Sequence, residues 1–351
     1  MNMRRFFILL ILAVAASFAA TDTLQGQVHS SSAYMYLISR EEILRYLEFL
    51  TSEEIAGRAA GTPQAKQVAD YIAGEFEEYG LQTFRSVSFY QPFNLPAPKG
   101  GSITGLSGKG SSYTEQYKRV TGESSGQGNK GYNVVGYLPA RQKNAGYIII
   151  GAHFDHIGSI DGKFYPGADD NASGVAALLE LAKTFGKRYV EKDNLNHNIV
   201  FVAFDGNNFS LAGSRHFASR LGIAASQITC MLNLDQMGST LAPVGDKEEY
   251  LLVLGGNKLK GWQQEQLEFA NRYFGLGLHL DFSYYGSPDF YDIFYKLSDQ
   301  QSFTERGIPA LLFTSGITKL TNKEGDRVES LDLEVLKRRI ELVYRFVWLI
   351  E

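Results

Sequence analysis

Five runs of the chain, at residues 147–151, 199–204, 228–234, 250–254 and 310–313, are apolar almost without interruption. A strand with one wet face alternates apolar and polar residues, whereas a run apolar on both faces has to be covered on both. Segments of helical period follow at about 173–185, near 211–221 and at about 332–350. In the last, Leu336, Ile340, Val343 and Val347 share one face. This alternation predicts an α/β fold: one domain with a largely parallel, mixed central sheet and helices on both faces.

Two helices are expected ahead of the sheet. Ser39-Arg40-Glu41-Glu42 fits a capping box, and Ile43, Leu44, Leu47 and Leu50 line one face. Thr62-Pro63 sets a hydroxyl N-cap before a first-turn proline; Val68, Ile72, Phe76 and Tyr79 form the stripe, and Gly80 stops it.

Residues 1–20 read as a signal peptide, with Arg4 and Arg5 before an apolar run at 6–16 and a cleavage site at Ser17-Phe18-Ala19 with small residues at 17 and 19. The run is too short to span a bilayer as a stable helix. Residues 21–38 read as a polar lead-in and 39–351 as the domain, with an excursion at about 100–131 that holds nine Gly and six Ser and so belongs on the surface. The expected location is secreted or periplasmic, with no membrane span. A formal charge of −4 supplies no electrostatic basis for binding nucleic acid. The single cysteine, Cys230, excludes an intramolecular disulfide and any multi-cysteine metal site.

Ligands of open α/β sheets bind beyond the carboxyl ends of the strands. Gly151-Ala152-His153-Phe154-Asp155-His156 follows the first run. Pro166-Gly167-Ala168-Asp169-Asp170-Asn171-Ala172-Ser173-Gly174 opens the next helix. Asp205-Gly206-Asn207-Asn208 and Asn233-Leu234-Asp235-Gln236 end two further runs. One imidazole and several carboxylates thus reach one rim, and these are donor types that zinc accepts. Taken singly, each motif also has a bland reading: a structural His–Asp pair, a capped helix start, a strand-end turn.

In this order the motifs resemble the co-catalytic zinc aminopeptidase family that includes bacterial leucyl aminopeptidase, aminopeptidase S, glutaminyl cyclase and the transferrin-receptor ectodomain. The resemblance also runs through residues 47–58 (LEFLTSEEIAGR), Gly61-Thr62, Asn133-Val134-Val135-Gly136, Ala212-Gly213-Ser214, Ser298-Asp299 and Phe303 with Gly307-Ile308-Pro309-Ala310. It implies a two-metal site of histidine, bridging aspartate, glutamate, second aspartate and distal histidine, with a glutamate as general base. Carried over by position, it implies His153, Asp169 as the bridge and Asp235 as ligands. Asp155 would orient His153, and Asp170, beside the bridge, would face the substrate pocket.

The resemblance then breaks at four positions. Asn207 stands where the base belongs and Asn208 where a metal carboxylate belongs. Asn322 replaces the distal histidine, and Gln300, expected at the substrate pocket, follows Ser298-Asp299 where the family has histidine. No histidine occurs after His279. Two remaining carboxylates suit one zinc ion, or none, better than two. An amide cannot take a proton from water near neutral pH, and loss of a general base lowers rates by about 10²–10⁴. A substitute would have to come from Asp205, Asp299 or Glu324 through water. His156 extends the first motif, and Tyr284, Tyr285, Phe290 and Tyr291 could wall a peptide pocket. Two functions stay open: a secreted zinc exopeptidase with weak or lost hydrolysis, or a non-catalytic protein that binds a peptide or protein partner.

Overall fold

The computed structural model describes residues 38–96, 130–191, 195–255 and 261–351. The expected signal peptide, the lead-in up to residue 37 and the Gly/Ser-rich excursion up to residue 129 lie outside them. The first half of the chain forms helices α1 (Arg40–Leu50) and α2 (Pro63–Glu78) and strands β1 (Gln82–Thr83), β2 (Tyr90–Asn94), β3 (Lys130–Leu138) and β4 (Tyr147–His153). A small hairpin of β5 (Gly158–Ile160) and β6 (Lys163–Tyr165) then leads to helix α3 (Gly174–Val190). Next come β7 (Asn198–Phe204), helix α4 (Ala212–Ser219), β8 (Ile228–Leu234), β9 (Tyr250–Leu254), helix α5 (Trp262–Tyr273) and β10 (His279–Asp281). Helices α6 (Pro288–Phe294) and α7 (Gln300–Thr304), strand β11 (Ala310–Thr314) and helix α8 (Leu333–Ile350) complete it.

Local chemistry sets the helix starts. Thr62 caps α2, its hydroxyl accepting from the Ala65 amide at 3.2 Å. Asp332 caps α8, accepting from the amides of Glu334 and Val335 at 3.0 Å. Loss of such a cap costs about 1 kcal/mol.

Nine strands form one mixed α/β sheet in the order β1-β3-β7-β4-β8-β11-β9-β10, with β2 also paired to β3. Its centre is parallel: β7, β4, β8 and β11 run the same way. The flanking pairs β3–β7 and β11–β9 are antiparallel. Strand β7, buried along its whole length, shows why both faces had to be apolar. Phe201 meets Phe76 of α2 and Phe185 of α3, each at 6.4 Å between ring centroids. Phe204 points the other way, to Phe217 at 6.0 Å and Phe303 of α7 at 6.1 Å. Each such ring contributes about 1.5–3 kcal/mol by leaving water. Four parallel strands covered on both sides bring their carboxyl ends to one edge, and the site forms there. Among the described residues no helix is long and apolar enough to cross a membrane.

Candidate metal centre

Strand β4 ends on His153, β8 presents Asp235 one residue past its end, and the loop entering α3 carries Asp170. One ligand atom from each of these three lies within 4.8 Å of the others. The His153 Nε2 atom is 3.6 Å from Asp170 Oδ1 and 3.5 Å from Asp235 Oδ1. Its Nδ1 faces the backbone carbonyl of Asp155 at 3.1 Å, which orients the ring. Asp155 therefore holds His153 through its main chain. Its carboxylate lies 3.8 Å from Nδ1 and instead accepts from the amides of Asn207 at 2.9 Å and Asn208 at 3.4 Å.

The aspartate brought to His153 is Asp170, not Asp169. Asp169 was expected as the bridge, but its carboxylate is already saturated. It accepts from the amides of Gly238 at 2.7 Å and Ser239 at 3.1 Å, and from the hydroxyls of Ser173 at 3.2 Å and Ser315 at 3.1 Å. Asp326 anchors the turn from the far side, accepting from the amides of Asp169 at 2.7 Å and Asp170 at 3.1 Å. With one carboxylate tied down behind, its neighbour faces the strand ends.

The loop holds this shape for definite reasons. Asn171 clamps two strand ends, donating to the carbonyls of His153 at 3.2 Å and Leu234 at 2.9 Å while accepting from the Gln236 amide at 2.9 Å. Gly167 has φ +60, and a Cβ there would sit 2.3 Å from the Asp170 carbonyl. A Cβ on Gly174 would sit 2.4 Å from the Leu234 carbonyl. Behind the loop, buried Arg58 donates to the carbonyls of Phe154 and Gly167 at 2.6 Å, Leu50 at 3.1 Å, Asp170 at 3.4 Å, and Pro166.

Burial opposes the charged form of His153, yet Asp235, Asp155 and Asp170 together raise it to about 10. Burial also raises Asp170, to about 7, against the pull of His153, with Asp235 and Asp326 adding repulsion. For Asp235 burial acts upward but is outweighed by His153 and Ser298, so it stays low. His156 is buried with Nδ1 3.9 Å from Asp170 Oδ2, and burial pushes it well below its ordinary value.

The trio opens onto a cavity of about 570 Å3 that also exposes Asn207, Asn208 and Asn322 to its contents. Tyr284, Phe294, Ile293 and Leu297 form an apolar wall. Of the expected aromatic group, Tyr284 thus lines the cavity and stacks on Phe294 at 4.3 Å, whereas the Tyr291 hydroxyl is taken up by the Gly255 amide at 2.5 Å.

Residues 133–347, more than half of the chain, match the model of Peptidase family M28. The chain belongs to this family. It is 32% identical over 136 residues, 35% of its length, to a probable leucine aminopeptidase of Trichophyton verrucosum, and spans 36% of that relative. To a probable leucine aminopeptidase of Arthroderma otae it is 26% identical over 228 residues, 62% of this chain and 56% of the relative. The chain thus covers only part of the length of these relatives. The solved zinc aminopeptidase of Bacillus subtilis superposes with a TM-score of 0.66 at 18% identity, covering 89% of this chain and 95% of that one, and shares its fold.

Within this M28 member the position expected to hold the base is an amide in use. Asn207 donates from its side chain to Asp299 Oδ2 at 3.1 Å. None of the three alternative bases lines the cavity. Asp205 is buried and accepts from the amides of Tyr132 at 3.0 Å and Gly206 at 2.8 Å. Asp299 is wholly buried behind Asn207, and Glu324 is exposed and paired with Lys163 at 2.8 Å. Gln300, expected at the pocket, is also turned away. Its amide is locked at both ends, donating to the Tyr295 carbonyl at 2.6 Å and accepting from Asn233 at 2.8 Å. Arg58, Asn171 and Asp326 had no role in the sequence reading. Of the three, Asp326 carried a signal, lying four residues after Asn322, which aligns with the distal histidine; Arg58 and Asn171 lay inside matched motifs that did not indicate what they hold.

Proposed function

We propose that this M28 family member binds the N-terminal end of peptides, cleaves them slowly or not at all, and holds at most one divalent metal ion. One observation carries the reading: among the described residues the only carboxylates lining the cavity are Asp170 and Asp235. A water attacking a peptide carbonyl there has no free carboxylate base beside it.

The donor set suits one zinc ion. His153, Asp170 and Asp235 offer one nitrogen and two oxygens in reach of a common point, and Asp235 Oδ1 is buried with no hydrogen-bond partner, which a cation would satisfy. When bound, the ion would act as a Lewis acid toward a ligand carbonyl. A second ion would have to rely on the amides of Asn208 and Asn322, which are neutral donors. The chain's own residues supply the rest. The two carboxylates attract a peptide ammonium, the Asn207 and Asn208 side chains offer hydrogen bonds, and Tyr284, Phe294 and Leu297 receive an apolar side chain. The composition of residues 1–20 supports export to the periplasm or medium.

Turnover of a leucyl anilide, measured with zinc supplied and compared with an active M28 aminopeptidase, tests this. The expected rate is lower by about 10²–10⁴. Fast turnover that a chelator abolishes would overturn it.

A further inference from the structure

The cavity lining carries charges of both signs. Asp170 and Asp235 are largely or wholly buried, whereas Lys319 and Lys323 are exposed and so lie toward solvent. Neither lysine pairs with a carboxylate among the described residues, and the nearby acid Glu324 is engaged by Lys163. The two sit on a structured turn. The Thr318 amide donates to Thr321 Oγ1 at 3.0 Å, the Leu320 amide donates to Thr318 Oγ1 at 3.1 Å, and the Lys323 amide donates to the Leu320 carbonyl at 2.9 Å. Thr321 Oγ1 in turn donates to Gln236 Oε1 at 3.1 Å, which ties the turn to the residue after Asp235. The backbone positions of both lysines are thereby held beside the cavity.

We propose that Lys319 and Lys323 form an anion subsite that takes a carboxylate lying on the C-terminal side of a ligand's first residue. This rests on the reading that the cavity binds peptide N-termini, and it names the ligand class: short peptides bearing negative charge next to their first residue. The ammonium goes to the acidic end, the first side chain to the apolar wall, and the carboxylate to the lysines. A cavity of about 570 Å3 matches a ligand of two or three residues. The carboxylate can be the terminus of a dipeptide or an acidic second side chain, because the lysines read charge and impose no planar bidentate geometry.

Calorimetric titration of the full chain, with and without one equivalent of zinc, decides the matter. The probes are leucyl-alanine, leucyl-alanine amide, leucyl-glutamic acid α-amide and N-acetyl-leucyl-alanine. At least one of the first and third should bind about three- to tenfold more tightly than leucyl-alanine amide at low salt, and whichever does names the source of the carboxylate. That margin should shrink in high salt. It should vanish in the double variant Lys319→Ala, Lys323→Ala, two exposed positions where folding is not at stake. Equal affinity for the charged probes and the amide, unchanged by the double variant, would overturn the anion subsite and leave the N-terminal reading standing. Binding of the acetylated probe as tight as leucyl-alanine would overturn the N-terminal reading itself.

Discussion

The side-chain amide of Asn207 donates to the carboxylate of Asp299 at 3.1 Å, inside the protein and next to the cavity. Burial raises Asp299 to about 6, with His153 and Asn207 pulling it back toward the charged form. An amide gives this acceptor a donor and takes on no proton of its own. A glutamate at 207 would bring a second carboxylate against Asp299, and two such groups would share a proton.

Restoring the missing groups should rebuild a second metal position. Asn207→Glu, Asn208→Glu and Asn322→His add two carboxylates and an imidazole around one cavity. Asn322 has φ +61, a region that histidine enters more readily than most residues. Calorimetry should find one more zinc ion per chain in the triple variant than in the parent. A folded triple variant that takes up no more zinc than the parent would mean these loops no longer converge as they do in the family.

Metal content should separate the two adjacent aspartates. His153→Ala, Asp170→Ala and Asp235→Ala should each abolish tight zinc binding. Asp169→Ala should leave the stoichiometry alone and lower stability by about 1–3 kcal/mol, because buried amides lose their acceptor. Elemental analysis after dialysis and urea midpoints check the pair. Loss of zinc in the Asp169 variant at unchanged stability would reverse the assignment.

Arg58 should prove structural, and strongly so. Its guanidinium serves five carbonyls on three segments, and the residue is fully buried. Arg58→Met should cost about 3–5 kcal/mol, since several buried acceptors go unpaired at once. A denaturation midpoint within error of the parent would refute this.

In the metal-free protein the stability contributed by Asp326 and Asp299 should fall as pH rises from 5 to 8, opposite in sign to that of His156. Burial, with repulsion from Asp169, raises Asp326 to about 7 from an ordinary 3.8. Burial likewise raises Asp299 to about 6. A carboxyl raised on folding holds its proton more tightly in the native state. Its stabilising contribution is complete below the unfolded value and disappears as pH climbs through the folded one. The slope of melting temperature against pH in chelator should be more negative in the parent than in Asp326→Asn. A slope that is the same in the variant would exclude Asp326 as its source.

Much of this protein was already determined by its sequence. Runs apolar on both faces admit few arrangements besides a sheet covered on both sides, and Phe201 and Phe204 meet helices on opposite sides as that pattern requires. The helix start at Thr62-Pro63 and the presence of amides, not carboxylates, at 207 and 208 could be read one residue at a time. The choice between Asp169 and Asp170 could not. Two adjacent aspartates in an irregular loop are chemically equivalent on paper, and which one faces His153 depends on backbone angles set by distant partners. Asp326, 157 residues away, grips the turn, and Gly238 with Ser315 captures the Asp169 carboxylate. Gln300 was lost to the cavity in the same way, drawn off by Asn233 and Tyr295. Residue type and spacing state what a loop can offer, but side-chain direction follows from hydrogen bonds that exist only once remote segments have met.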